Sequence, residues 1–386
     1  MKIGCYVSVV AGQKGFEHNV SGHIQIPLQA MKLLIEAGHE CHLITTEFDE
    51  SRTMPNCLPD GLTVHTVIDS RRRGGVVTRT SSEGSGVSLL TLLKQVREIK
   101  QICKEANLDV LHFYGYNRTA QLAGGLRLLG LRIPVVVTLF AANLPEKISL
   151  FSKYLWCKLD AIVTATDFVK SQLEQRGLSV TQVRHGIVRD IANEFDGSTI
   201  EPRHRVLFWR DLTIPNGADI ALGAFIALAD QYPEVQFDIA VRRHWDEIKD
   251  VEQQIESFKN VSLYRFPYAE GVSIPKLLME SICVVMPIRD ISIDPQLVIA
   301  ESLAMGVPVV ATNLRSNPEF VIENETGKLI ELDDPQGAIS ALDHLLSNRE
   351  QAKKMGTNAK EFIENNWNWN HYVNEITDIY RLVFKA

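Results

Sequence analysis

Along this 386-residue chain, short apolar runs alternate with longer segments whose apolar positions recur every three to four residues. Residues 3–10 form a strand-sized run, and 23–37 place Ile26, Ala30, Leu33 and Leu34 on one helical face. Gly38 follows where a helix C-terminus favours glycine, and 41–45 supplies the next strand. Residues 110–113, 134–138 and 161–165 are nearly continuous apolar runs, the pattern of parallel strands buried on both faces. The pattern weakens across 190–204 (DIANEFDGSTIEPRH) and restarts with runs at 206–209, 237–241, 261–264, 283–286 and 307–311. Strands alternating with helices predict βαβ units, and hence an α/β chain of two Rossmann-like, doubly wound parallel-sheet domains with a cleft between them. The expected division is 1–190 and 200–367.

Composition narrows the classes. Hydrophobic residues at 45% and charged residues at 23% make a globular chain, and a net charge of -7 gives no attraction to phosphate backbones, so no nucleic-acid partner is expected. The longest apolar run, 134–142, is strand-sized and well short of the roughly 20 residues that cross a bilayer. Residues 1–12 lack leucine and any A-x-A-like cleavage site, and read as a first strand. Six cysteines (5, 41, 57, 103, 157 and 283) fall in no C-x-x-C spacing, which suits a reducing, cytoplasmic setting. The stretch 71–86, RRRGGVVTRTSSEGSG, reads as a surface loop.

Ligands of open α/β sheets bind beyond the carboxyl ends of strands, so those loops hold the candidate chemistry. Ser21 and Gly22 open the first helix, either as an anion site at its N-terminus or as an ordinary cap. Arg210 follows the run at 206–209, where a guanidinium can grip phosphate or simply be solvated. Asn216 is the expected cap of the next helix, with Asp211 and Asp219 as dipole-complementing charges. Asp294 and Pro295 are expected to start a later helix as N-cap and N1. Within it Leu297, Val298, Glu301 and Ala304 share one stripe, so Glu301 should interrupt a buried face. A buried carboxylate needs a partner, either a ligand hydroxyl or a basic residue of the fold. There is no D-x-D triplet, no metal-ligand cluster, no G-x-S-x-G and no G-x-G-x-x-G or P-loop signature, which disfavours serine hydrolases, P-loop kinases and typical NAD enzymes. Residues 148–159 place Leu150, Phe151, Tyr154, Leu155 and Trp156 beside Lys153 and Lys158, in the same half as Arg71, Arg72, Arg73 and Arg79. That composition fits a core helix or a peripheral membrane contact.

These segments together resemble the family 4 (group 1) glycosyltransferases of the GT-B fold. The resemblance rests on SGHIQIPLQAMKLLIEAGHECHLIT, DVLHFYGYN, PVVVTLFAANLP, LDAIVTATDFVKSQLEQRGL, VLFWRDLTIPNGADIALGAFIAL and, most specifically, PQLVIAESLAMGVPVVATN. It implies an N-terminal acceptor-side domain completed by a crossover helix at 368–386, and a C-terminal nucleotide-sugar-binding domain. It also implies retaining transfer of a sugar from a nucleoside-diphosphate sugar to a glycan or lipid-linked acceptor, with no cofactor and no bound metal, in the cytoplasm or peripherally at the inner membrane face. Carried over by position, Ser21, Gly22, Arg210, Asn216, Asp294 and Glu301 would bind the donor, with Arg210 on its diphosphate and Glu301 on its ribose as the catalytic pair. The pattern departs at Asn216, where the family has a basic residue, at Ile293 for its first acid, at Phe140 for a histidine, at Arg315-Ser316 for a glycine pair, and at 241–244. A homologue that binds a sugar nucleotide or a partner without turnover is the alternative reading. A nucleotide-sugar epimerase of the same fold fits less well, because its signatures are not evident.

Overall fold

The computed structural model describes residues 1–13, 22–48, 52–69, 89–140, 149–187, 203–241, 247–291 and 293–385. The chain divides into two compact units, Met1–Val188 with Trp369–Ala386, and Arg189–Asn368. In chain order the strands of the first unit are β1 (Lys2–Val7), β2 (Gly12–Gln13), β3 (Glu40–Thr46), β4 (Arg52–Thr53), β5 (Thr63–Val67), β6 (Val110–Gly115), β7 (Val135–Leu139), β8 (Ala161–Thr164) and β9 (Thr181–Gln182). Those of the second are β10 (Arg205–Phe208), β11 (Gln236–Val241), β12 (Val261–Arg265), β13 (Ser281–Met286), β14 (Val309–Thr312) and β15 (Gly327–Ile330). The helices are α1 (Gly22–Glu36), α2 (Leu89–Glu105), α3 (Asn117–Leu128), α4 (Leu150–Trp156), α5 (Asp167–Glu174), α6 (Ala218–Ala229), α7 (Val251–Ile255), α8 (Ile274–Met279), α9 (Leu297–Ala304), α10 (Pro335–Ser347), α11 (Arg349–Asn366) and α12 (Trp369–Lys385).

Each unit is built on one parallel sheet. The first runs β5-β3-β1-β6-β7-β8-β9 and the second β12-β11-β10-β13-β14-β15. Every position of β6, β7 and β13 is buried, as expected where helices cover both faces of a sheet. Strand order reverses between β1 and β6 in the first sheet and between β10 and β13 in the second. At such a switch point the two adjoining loops diverge to opposite faces and leave a crevice at the carboxyl ends. No helix among the described residues is long and apolar enough to cross a membrane.

Helix α12 completes the first unit by burying Tyr372, Ile376, Thr377, Tyr380 and Val383. His112 of β6 lies 2.5 Å from the Tyr380 hydroxyl through Nδ1 and 2.8 Å from Thr138 Oγ1 through Nε2. Tyr114 and Tyr372 share a 3.0 Å hydroxyl contact. Trp369 Nε1 donates to the Ile187 carbonyl at 3.0 Å, and its indole stacks on His185. Full burial pushes the His112 imidazole down to about 3 and that of His185 to about 4, so both are neutral at physiological pH. A Cβ added at Gly186 would lie 2.3 Å from the Trp369 ring, so glycine is what lets the helix seat.

Candidate active site

In the second unit the two loops that flank the switch point are those after β10 and β13. Trp209, just past β10, is buried and donates from Nε1 to Ser302 Oγ on α9 at 3.2 Å. Ser302 in turn donates to the Val298 carbonyl at 2.7 Å. These bonds fix α9 beside the end of β10. The next residue, Arg210, donates from Nη1 to Gln296 Oε1 at 2.6 Å, and Gln296 Nε2 donates to the Ile293 carbonyl at 2.6 Å. Because Gln296 is the N-cap residue of α9 and makes no side-chain cap bond, the arrangement brings a guanidinium to the N-terminal end of that helix. A cation beside N–H groups that point out of a helix is a natural anion site.

Two expectations about this helix are corrected. Asp294 and Pro295 do not begin it: the first helical residue is Leu297, and Asp294 is buried and accepts a 2.6 Å hydrogen bond from Ser316 Oγ. The Asp294 carboxylate serves the turn after β14, 22 residues away, instead of a helix cap. The stripe of Leu297, Val298, Glu301 and Ala304 is also not the core face. Leu297, Val298 and Ala304 are half-buried, whereas Ile299, Ala300 and Leu303 take the core. Glu301 is only 5% exposed although it lies on the open stripe. Its carboxylate is thus shielded from bulk water on the side of the helix that is not filled by core side chains.

The start of α6 differs in the same way. Its N-cap is Gly217, at φ 72° and ψ 22°, and Asn216 instead donates from Nδ2 to the Asp211 carbonyl at 3.1 Å. A Cβ at Gly217 would lie 1.9 Å from the Pro287 carbonyl oxygen, so the loops after β10 and β13 touch at that point. Arg289, which the sequence reading did not single out, ties them together. It donates to both carboxylate oxygens of Asp219 at 2.5 and 2.8 Å, to the Ile214 carbonyl at 2.9 Å, and to Asp333 after β15. Burial opposes ionisation of Asp219, but the Arg289 guanidinium more than offsets it and holds the carboxyl below its ordinary range. Asp219 is therefore a paired ion at the first turn of α6. The signal for Arg289 was its place three residues past β13, close to the place of Arg210 two residues past β10.

Arg210, Gln296, Asp294 and Glu301 are thus gathered around the first turns of α9, with Asn216 joined to the same end of the sheet through Gly217 and Pro287. Arg315 donates from Nη1 to the Ile291 carbonyl at 2.8 Å and pairs with Asp290. In the first unit Gly22 is the first residue of α1 and Ser21 lies outside the described residues; in the second, 242–244 of the departing stretch 241–244 also lie outside them. Phe140 follows β7, buried and stacked on Tyr114.

Residues 203–348 match the family model described as glycosyl transferases group 1. That match lies within the second unit. Arg210, Asn216, Asp294 and Glu301 all lie inside it. Over almost its whole length the chain is similar to the phosphatidyl-myo-inositol mannosyltransferase of Mycolicibacterium smegmatis, 23% identical across 96% of this chain and 93% of that protein. Its fold matches a glycosyltransferase from Rickettsia africae with a TM-score of 0.73 at 18% identity, covering 100% of this chain and 99% of that one. It also matches Anabaena HepE, solved in complex with UDP, with a TM-score of 0.71 at 15% identity over 98% of this chain and 99% of that one. At those identities the likeness is one of fold, and the fold of the chain is of the GT-B type.

Proposed function

We propose that the protein takes a sugar from a nucleoside-diphosphate sugar held by the second unit and transfers it, with retention of anomeric configuration, to a glycan or lipid-linked acceptor. The observation that carries this reading is the convergence of Arg210, the N-terminal end of α9 and Glu301 at the β10/β13 switch point. Arg210 donates to the diphosphate oxygens, and the first N–H groups of α9 add their partial positive charge. Glu301 accepts hydrogen bonds from the ribose hydroxyls, which anchors the nucleoside end of the donor. As the bond between the sugar's anomeric carbon and the diphosphate oxygen breaks, negative charge builds on the departing diphosphate. A cation and helix N–H groups already in place stabilise that charge without reorganising. Transfer on this account needs no resident metal. The UDP complex of Anabaena HepE and the phosphatidylinositol acceptor named for the M. smegmatis relative support the donor and acceptor classes. Free thiols at all six cysteines suit work in the reducing cytoplasm.

The test is to incubate the protein with UDP- and GDP-sugars and lipid or glycan acceptors and to follow the anomeric proton by NMR. An α-linked donor should give an α-linked product. A second reading, a homologue that binds donor without turnover, is favoured by the neutral Asn216 in a loop where the related family carries a cation. Saturable donor binding with no transfer or donor hydrolysis across the panel would establish that reading and overturn the first.

A further inference from the structure

The side chain of Gln296 is buried, and both ends of its amide are engaged. Its backbone opens α9, with a carbonyl that accepts from the Ile299 and Ala300 N–H groups at 3.1 and 3.3 Å. The amide itself spans from the loop before that helix to the end of β10. Oε1 accepts from Arg210 Nη1 at 2.6 Å, and Nε2 donates to the Ile293 carbonyl at 2.6 Å. Only one orientation of the amide fits. A flip would set its NH2 group against the guanidinium and its oxygen against a carbonyl oxygen.

The loop that carries Gln296 is pinned on either side of Ile293. The Ile291 carbonyl accepts from Arg315 Nη1 at 2.8 Å, and Asp294 accepts from Ser316 Oγ at 2.6 Å. The end of β10 is fixed in turn by the bond from Trp209 to Ser302 of α9. Gln296 therefore joins two anchored points. A guanidinium carries its five N–H donors in one plane, so holding Nη1 sets the direction of the whole fork. The acceptor that Gln296 offers is uncharged. Arg289, after β13, shows the other way of holding a guanidinium, for it is ion-paired with Asp219 and Asp333. A carboxylate at position 296 would compete with an incoming diphosphate for Arg210, whereas an amide positions the cation and does not compete.

We propose that Gln296 is a positioning residue of the donor site, which aims Arg210 at the diphosphate and, being neutral, takes none of its charge. A cation already aimed at the departing diphosphate needs no reorganisation when charge builds there. The inference rests on the transfer reading and extends it to a residue that acts through Arg210. The test is calorimetric titration of UDP, GDP, uridine and guanosine into wild-type protein, Gln296→Met, Gln296→Glu, Arg210→Ala and Gln296→Met/Arg210→Ala. Gln296→Met keeps the length of the side chain but neither hydrogen bond, and should weaken the diphosphate about three- to tenfold with the nucleoside unchanged. Gln296→Glu should weaken the diphosphate by roughly tenfold or more, because the new carboxylate pairs with Arg210 and repels the ligand. In the Arg210→Ala background, Gln296→Met should cost nothing further, since its effect passes through the guanidinium. Comparing two ligands on one sample cancels any partial loss of fold in a variant. Equal losses for diphosphate and nucleoside, or a Gln296→Met effect that persists without Arg210, would overturn the proposal by making Gln296 a structural residue only. Diphosphate binding that falls in Arg210→Ala but not in Gln296→Met would overturn it too, and would leave the transfer reading intact. No diphosphate binding by the wild type would overturn both.

Discussion

Glu301 is a carboxylate buried on the half-open stripe of its helix, and a ligand role predicts a different response to substitution from a structural one. Glu301→Gln keeps the volume and the hydrogen-bonding reach but removes the charge. If the carboxylate accepts ribose hydroxyls, the change should weaken nucleotide binding by about 1.5 to 3 kcal/mol, the range for bonds to charged groups, with little change in melting temperature. Calorimetry and a thermal melt on the same sample decide it. A variant that melts early with unchanged affinity would make Glu301 a structural partner. Single residues were unevenly legible in the sequence. Arg210 and Glu301 stood out because each breaks the local pattern, one as a cation at the end of an apolar run and the other as an acid within a helical stripe. Asp294 and Asn216 misled because a cap-forming residue type shows a capability and not its partner. Asp294 instead meets Ser316, 22 residues on, and Asn216 yields the cap position to Gly217.

Elements obey the same division between local and distant causes. Strands such as β6, β7 and β13 are continuous apolar runs and could be read directly. The edge strand β5, TVHTV, is only partly buried and carries no such run. The start of α6 depends on the Gly217 backbone, whose left-handed conformation costs a side-chain-bearing residue roughly 1 to 2 kcal/mol. Gly217→Ala adds an overlap with the Pro287 carbonyl and should therefore destabilise by clearly more than that strain alone, seen as a lowered urea midpoint. An unfolding free energy within about 0.5 kcal/mol of wild type would refute the contact. Helix α12 supplies a pH prediction. An unfolded imidazole takes a proton near 6.5, whereas His112 does so at about 3 and His185 at about 4, each because burial disfavours the cation. The unfolded chain then binds more protons between those values, so stability is full above about pH 6.5 and is lost as pH falls toward 4. Urea midpoints should drop from pH 7 to pH 5, and His112→Gln should flatten that slope. A wild-type midpoint that does not change over this range would contradict the assignment of neutral, buried histidines.

At the scale of the whole molecule, two parallel sheets supply two switch points, and the family match covers the one between β10 and β13. The alternation of runs and helices exposed this architecture in the sequence, because parallel strands need crossovers and leave a regular pattern. The clamp of Arg289 on Asp219 and Asp333 was not legible, since it joins loops after three different strands. Those loops come together only once the sheet order is known. Because the diphosphate charge is assigned to Arg210 and helix N–H groups, turnover should survive an excess of EDTA, and abolition by EDTA with rescue by a divalent cation would contradict that assignment. The central claim is that the second unit binds a nucleoside diphosphate through Arg210. Its most direct test is calorimetric titration of UDP, GDP and the matching nucleosides into wild-type protein and Arg210→Ala. One diphosphate should bind at a single site, and the variant should lose about 1.5 to 3 kcal/mol for the diphosphate but little for the nucleoside. Equal losses for both ligands, or diphosphate binding untouched by the substitution, would contradict it.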